Sequence, residues 1–317
     1  LTGYDLEQGI ETVISAESFD TGKFIVDSKI FTSIISKMPK EDINFSLVDD
    51  VMTINSGKTN FTLQVMSAEE YPTLPDIENA TKIEIDCQSL KSMIQQTIYA
   101  VATIDTKPIL TGELFEINKG QLNVVAIDGY RMAIATETIT ADDTKIVIPS
   151  KCLSNVVSVL NTGTCELYLS KKHAKFVIGD YSVFTRLLEG EFHNYESSLP
   201  KSHDTEVIAN TRELIDSLER CQLLINDRIK SPIRCNFKDG QINISLQTML
   251  GKINDTISAE IIGNDVEIGF NVKYLLEALK SVESDKVHMY LTSSVKPMTI
   301  KEDGYTALVL PVRLKND

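Results

Sequence analysis

One helical stripe occurs three times in this chain at a fixed interval, and that interval restricts the fold more than any other feature. Residues 146–188 open on the β-branched run Ile146–Ile148 and pass Pro149-Ser150, a helix-start signal. Leu153, Val156, Val157 and Leu160 then fall at i, i+3, i+4 and i+7, one face of a helix. Asn161-Thr162-Gly163 stops the helix, and three strand-like runs follow, CELYLS, AKFVIG and YSVFTRLL. Moving the stripe back by 122 residues gives Phe31, Ile34, Ile35 and Met38; moving it forward by 122 gives Leu275, Ala278, Leu279 and Val282. A lysine opens each helix, at Lys29, Lys151 and Lys273, and three strand-like runs follow each. Three stripes in register at one period define a repeat of β-α-β-β-β units.

Those copies, at 24–65, 146–188 and 266–314, are separated by second half-units. Thr81–Ile139 has a strand KIEID, a helix with Leu90, Met93 and Ile94, and strands ELFEI, QLNVVAI and YRMAIAT. Thr205–Ile261 has EVIAN, a helix with Leu214 and Leu218, then PIRCNF, QINISL and KINDTISAEI. The class is α+β, with three tandem domains at 1–78, 79–203 and 204–317, each built from two β-α-β-β-β units. The first domain reads as incomplete. LTGYDLEQGIETVI aligns with AIDGYRMAIATETI, Gly3-Tyr4 against Gly129-Tyr130, so the chain is expected to start at the end of a half-unit. Five helices are predicted where symmetry asks for six. Short junctions, Glu69–Pro75 and Glu191–Pro200, each contain a tyrosine and end on a proline.

Length alone suggests about two domains, and the sharper repeat overrides it with three. No run of eighteen apolar residues exists to span a membrane, and LTGYDLEQGIE has no signal-peptide pattern. The cysteines (Cys87, Cys152, Cys165, Cys221 and Cys235) are odd in number and scattered, which fits buried thiols in a reduced cytosolic protein. The four histidines show no zinc spacing, and no cofactor motif is present. The net charge of −14 argues against nucleic-acid binding by bulk charge, so any duplex partner must be held another way.

Ser56-Gly57-Lys58-Thr59 mimics the tail of a phosphate loop, but a strand follows it where the mechanism needs a helix, so it reads as a hairpin turn. Asp128-Gly129 reads as the centre of a two-residue hairpin turn. In Leu308–Leu314 the internal Pro311 predicts a strand at an edge or end, with an apolar ledge open to a partner. No hydrolase, metalloprotease or dinucleotide motif occurs, and paired carboxylates such as Asp142-Asp143 sit in polar turns. Basic residues on or beside the helices (Lys91, Lys151, Arg212, Arg220 and Arg228) would converge if all helices faced one side.

LTGELFE (110–116), AIDGYRMA (126–133), VEIGFNVKYLLEAL (266–279) and the closing VLPVRL (309–314), with the threefold repeat, resemble the bacterial sliding clamp family, the beta subunit of DNA polymerase III. The resemblance spans essentially the whole chain and lacks the family's N-terminal half-unit. It implies a DNA clamp fold in which two crescent subunits join head to tail as a ring, helices inside and sheets outside. The ring encloses double-stranded DNA without gripping it, which accommodates the acidic charge. It also implies a non-catalytic subunit in the cytoplasm. Implied partners are the polymerase III catalytic subunit, a clamp-loader complex, and repair and translesion polymerases carrying clamp-binding peptides.

Carried over by motif, the peptide groove comprises Leu110, Ile127, Gly129, Tyr130, Arg131 and Met132 from the second domain. From the third come Asn271, Tyr274, Val295, Leu308, Leu310, Pro311, Val312 and Arg313. Such apolar walls with a few polar groups suit a peptide bearing leucine and an aromatic residue. DNA contacts are expected from Lys107 in the loop Thr103–Lys107, from Lys151, and from Lys91 behind them. The homodimer interface is expected to bring Phe61 and Leu63 against Leu223 and Leu224. The chain departs from the family at His193, Ser197 and Ser198, which the resemblance expects to be proline, arginine and valine, and at Lys315-Asn316-Asp317, past the usual end. Two other readings compete: an enzyme with an unrecognised site, and a peptide-binding scaffold that never encircles DNA.

Overall fold

A computed structural model describes every residue except 76, 78–79, 104–106, 227–230 and 315–317. It contains two compact units, Val13–Pro75 with Leu1, and Thr2–Thr12 with residues 76–317. First in the chain is the hairpin β1 (Thr2–Tyr4) and β2 (Gln8–Thr12), which pairs into the larger unit.

The smaller unit holds β3 (Phe24–Ile25), α1 (Ser28–Lys37), β4 (Asn44–Val48), β5 (Val51–Ser56), β6 (Thr59–Gln64) and β7 (Met66–Ser67). The Asp27 carboxylate starts α1 by accepting the Ile30 N–H at 2.8 Å. The predicted stripe packs as expected: Ile34 and Met38 are buried with Met52, Ile54 and Val65, and Phe31 and Ile35 lie against them. A ten-residue helix is too short to stand alone in water. Burying such side chains contributes roughly 1.5–3 kcal/mol each, so packing holds it. Ser56 pairs with Thr59 around Gly57 at φ +54°, which makes the lysine-containing loop a hairpin turn. The sheet order is β4-β5-β6, which leaves β6 an edge.

The larger unit continues with β8 (Thr81–Asp86), α2 (Cys87–Thr97), β9 (Gly112–Asn118), β10 (Gln121–Ile127), β11 (Arg131–Thr138), β12 (Thr144–Pro149), α3 (Ser150–Val159), β13 (Thr164–Leu169), β14 (His173–Ile178) and β15 (Tyr181–Arg186). Then come β16 (Thr205–Asn210), α4 (Thr211–Gln222), β17 (Ile233–Lys238), β18 (Gln241–Gln247), β19 (Lys252–Gly263), β20 (Val266–Phe270), α5 (Val272–Lys280), β21 (Lys286–Leu291), β22 (Met298–Glu302) and β23 (Tyr305–Val309). All ladders are antiparallel, in a six-stranded sheet β1-β2-β15-β14-β13-β8 and a twelve-stranded sheet β12-β9-β10-β11-β23-β22-β21-β16-β19-β18-β17-β20. Leu90, Met93 and Ile94 of α2 share one core with Leu153, Val156 and Leu160. Leu214 and Leu218 of α4 share another with Leu275, Ala278 and Leu279 of α5.

Two expectations change. β23 is no edge strand: it lies between β22 and β11, and Pro311 stands just beyond its end, where no ladder donor is needed. The hairpin alignment also shifts. Tyr4 pairs with Gly9 as Ile127 pairs with Met132, so Asp5 matches Asp128, and Gly3-Tyr4 does not match Gly129-Tyr130. The turns agree in detail. Asp5 N–H donates to the Gln8 carbonyl at 3.1 Å and Asp128 N–H to the Arg131 carbonyl at 3.3 Å. Each aspartate Oδ1 accepts two further backbone N–H groups. The central pair of the second turn is thus Gly129-Tyr130, with Gly129 at φ +91°, and Leu6 takes that place in the first at φ +74°.

Candidate functional site

The turn Asp128–Arg131 stands where β11 meets β23, the ladder that joins the predicted second and third domains. Leu114, Val125, Ile127, Met132, Ile134, Val147 and Leu308 form a small core on this side of the sheet, with Leu110 and Leu310 half-buried against it. Six of the sequence-predicted groove residues therefore lie in or beside one apolar floor: Leu110, Ile127, Met132, Leu308, Leu310 and, adjoining it, Pro311. Beyond β23 the chain stays pinned. Leu310 N–H donates to the Tyr130 carbonyl at 2.9 Å and Val312 N–H to the Gly269 carbonyl at 2.8 Å. A Cβ on Gly269 would meet the Val312 carbonyl oxygen at 2.5 Å, so only glycine admits this approach. Val312 and Arg313 are exposed.

Above the floor stand two tyrosines. Tyr130 is 61% exposed, and its ring stacks on Tyr274 with centroids 6.0 Å apart. Asn271 caps α5 by accepting the Lys273 N–H at 2.9 Å, which fixes the turn of helix that carries Tyr274. Val295, on the β21–β22 turn, is 66% exposed.

Sequence reasoning missed what Arg131 does. It is only 6% exposed. Its Nε donates to Asp128 Oδ2 at 2.9 Å, its Nη1 pairs with the Glu277 carboxylate, and its guanidinium lies 4.5 Å from the Tyr274 ring centroid and 5.2 Å from that of Tyr99. Tyr99 in turn shares a 2.9 Å hydrogen bond with Tyr305. Burial pushes the phenols of Tyr99, Tyr274 and Tyr305 up, so all three stay neutral. Arg131 thus holds the turn that presents Tyr130. The departures at the junction have local partners: His193 Nε2 and Ser198 Oγ are 2.9 Å apart, and Ser197 Oγ donates to the Asn194 carbonyl at 2.7 Å.

Two of the three predicted DNA contacts, Lys91 and Lys151, have local partners. Lys91 Nζ donates to the Leu160 carbonyl at 3.0 Å, closing the end of α3. It also lines a polar cleft of about 380 Å³ between α2 and α5, crossed by a 3.0 Å hydrogen bond from Ser92 Oγ to Glu283. Lys151 Nζ pairs with Asp5 Oδ2 at 2.9 Å. The Gln8 backbone N–H and then Lys151 hold the Asp5 carboxyl down at about 2. Lys107 is exposed. Arg212 pairs with Asp216 at 2.9 Å and Arg220 with Asp255. Arg228, residues 104–106 of the predicted loop, and 315–317 lie outside the described residues. Of the expected interface, Phe61 and Leu63 belong to the smaller unit; Leu223 is 80% exposed, and Leu224 packs on the core of the larger one. All five cysteines are free and buried. Among the described residues no group of His, Cys, Asp or Glu is arranged to hold a metal, and no helix is long and apolar enough to cross a membrane.

Three consecutive family profiles match, the N-terminal, central and C-terminal domains of the DNA polymerase III beta subunit, over residues 1–75, 84–194 and 196–313. The beta sliding clamp of Bacillus subtilis (strain 168) is 30% identical across 98% of this chain and 88% of its own length, and that of Staphylococcus aureus is 27% identical across 99% and 88%. Among solved structures, a DNA polymerase III beta subunit from Thermotoga maritima superposes with a TM-score of 0.93 at 26% identity, over 99% of this chain and 88% of that one. A protein from Eubacterium rectale described as a DNA polymerase III beta subunit superposes at 0.92 with 31% identity, over 98% and 87%. With the repeat, the sheets and the hairpin-capped junctions in place, these matches over almost the full length establish that the chain belongs to the DNA polymerase III beta subunit family, the beta sliding clamps.

Proposed function

We propose that this chain is a processivity clamp: two copies join end to end around duplex DNA and tether a polymerase through the groove under Tyr130 and Tyr274. It catalyses nothing itself. One observation carries the ring. The junction of a hairpin with a following strand is made twice within the larger unit, and its two halves are left over a third time. β2 takes β15 with Thr12 opposite Tyr181, and β11 takes β23 with Ala135 opposite Tyr305. The third hairpin, β18–β19, closes the same way, with Thr248 N–H on the Gly251 carbonyl at 2.9 Å and Thr248 Oγ1 accepting the Leu250 N–H at 3.1 Å. Its strand β19 pairs with β16 only from Ala259 to Gly263, which leaves the edge Lys252–Asp255 without a second ladder partner among the described residues. The counterpart of β15 and β23 is β6, itself an edge. Unpaired backbone on two matching edges is a template for strand addition. Carrying the register over places Asn60 of one copy opposite Asn254 of the next, and Phe61 opposite Ile253, with Leu63, Leu223 and Leu224 alongside.

The groove then serves linear peptides bearing leucine and an aromatic residue, from the polymerase III catalytic subunit, a clamp loader, and repair or translesion polymerases. Lys91, Lys107 and Lys151 face the enclosed duplex; with a net charge of −14 the ring holds DNA by topology, which leaves sliding free. The free buried thiols suit the reducing cytoplasm. Domain boundaries at 78/79 and 203/204 follow from the same repeat.

The test is crosslinking of the double variant Asn60→Cys/Asn254→Cys with a short bismaleimide, because the five native thiols are buried. A covalent dimer that stays on nicked circular DNA after denaturation, and leaves linear DNA, is expected. A strict monomer at micromolar concentration that never crosslinks would remove the ring.

A further inference from the structure

The repeat marks a second surface whose chemistry is the opposite of the apolar groove. At the β2–β15 junction the β13–β14 turn and the end of β15 occupy the places that Val295, Leu308 and Leu310 hold at the β11–β23 junction. By register, Ala174 opposite Thr185 corresponds to Met298 opposite Val309, so Val295 becomes Lys171, Leu308 becomes Phe184 and Leu310 becomes Arg186. Lys172, His173 and Lys175 complete a cationic cluster. His173 pairs with Arg186 across the ladder. Its ring lies 5.1 Å from that of Phe184, which takes the edge of Tyr4 at 6.2 Å. Burial, then Arg186 and Lys172, push the His173 imidazole down, as expected where cations crowd.

None of Lys171, Lys172, Lys175 and Arg186 has an ion-pair partner among the described residues, in a chain of net charge −14. The acidic groups nearby are Glu7 and Glu11 on the hairpin, and Glu84 and Glu166, both held by Lys82. Alternation along the strands fixes the direction. Ala174, Phe176, Ile178 and Val183 enter the core that α2 and α3 cover, so His173, Lys175, Phe184 and Arg186 lie on the opposite face of the sheet. A duplex on the helix side would not meet them.

We propose that this face, Lys171, Lys172, His173, Lys175 and Arg186 around Phe184, docks an acidic linear segment of a partner protein. Unpaired cations supply attraction and orientation, and the half-buried His173 ring, backed by a Phe184 that is itself only 2% exposed, supplies a flat rest for one side chain. The class of occupant rests on the peptide reading of the other junction; the cationic face itself does not.

The probe is a fluorescein-labelled peptide of repeated Glu-Glu-Phe units, followed by anisotropy on the full chain. Saturable binding is expected that weakens about tenfold between about 50 and about 300 mM salt. Lys171→Glu/Arg186→Glu should weaken it by a similar factor, and so should Lys171→Gln/Lys172→Gln, which leaves the strands untouched. Leu310→Ser/Val312→Ser should leave it unchanged, separating this surface from the groove. The proposal is overturned if the wild type shows no saturable binding, if the charge variants bind equally well, or if only the groove variant loses binding. It is also overturned if short duplex DNA displaces the peptide through these same cations, because the occupant is then nucleic acid.

Discussion

Arg131 on β11 reaches across the junction of the predicted second and third domains and pairs with Glu277 on α5. At the β2–β15 junction the corresponding residues, Gln8 and Asn155, meet through an amide hydrogen bond of 3.1 Å. The two junctions share a backbone and differ in what pins them. At one, a buried cation bridges two carboxylates and lies against two rings; at the other, two half-buried neutral amides meet.

The difference predicts unequal costs of truncation. Arg131→Ala leaves Asp128 and Glu277 without their cation in partly desolvated surroundings and is expected to destabilise the larger unit by about 2–4 kcal/mol. Gln8→Ala removes one neutral hydrogen bond and should cost about 0.5–1.5 kcal/mol. Urea titrations followed by circular dichroism compare the two. Equal shifts of midpoint would show that the ion pair contributes no more than the amide pair.

Glu113 sets a pH dependence. It lies wholly inside, with Oε1 accepting from Thr97 Oγ1 at 3.2 Å and Oε2 without a partner. Burial pushes its carboxyl well above the usual range, against which the Thr97 bond acts weakly. Because the folded state keeps a proton that the unfolded chain releases, this site's contribution to stability falls as pH rises from the ordinary carboxylate range toward the raised folded value. Glu113→Gln, uncharged at every pH, should melt at a higher temperature than wild type at neutral and alkaline pH and near the wild-type temperature under acid. Parallel melting curves across pH for the two proteins would mean that Glu113 is ionised as folded.

The helices and cores were readable because each stripe lies on a surface that must be buried, and Leu153, Val156 and Leu160 have no other way to leave water. The hairpin register was not. Gly3-Tyr4 and Gly129-Tyr130 share letters, but a turn is defined by hydrogen bonds and φ, and Leu6 at +74° does the work of Gly129. Pro311 signals only that its own position donates no ladder bond; it is silent on the neighbours of β23. That Leu110, Ile127, Met132, Leu308 and Leu310 lie together was legible from family motifs, whereas the burial of Arg131 was not. An arginine at a strand start normally reaches solvent, and only the partners Asp128, Glu277, Tyr99 and Tyr274, distant in sequence, turn it inward.

The proposed peptide groove makes a sharper demand on its rim than on its floor. Leu310 is half-buried and Val312 exposed, so replacing both with serine removes apolar contact area without opening the core. Binding of a labelled peptide with one leucine and one phenylalanine should weaken at least about tenfold, while circular dichroism and sedimentation stay as in wild type. Tyr274→Ala, which removes the stack beneath Tyr130, should weaken it similarly. Unchanged affinity in both variants would place the peptide elsewhere.

Asp5 and Lys151 yield the last prediction. Their 2.9 Å contact occupies a lysine proposed above to face DNA, so the charge that it could offer a phosphate is reduced. The Asp5 carboxyl titrates at about 2, below its ordinary value. The folded state therefore favours the ionised form, and the pair's contribution is present above the ordinary aspartate range and is lost as pH falls toward 2. At physiological pH the pair is intact. Asp5→Asn keeps an oxygen for the Glu7 and Gln8 N–H groups and so preserves the turn, while releasing Lys151. If Lys151 meets the duplex, the variant should bind DNA more tightly at low salt, with a logarithmic salt dependence steeper by about 1, and should slide more slowly once loaded. The further replacement Lys151→Ala should erase the gain. If Asp5→Asn leaves both affinity and salt slope unchanged, Lys151 belongs to the hairpin rather than to the DNA.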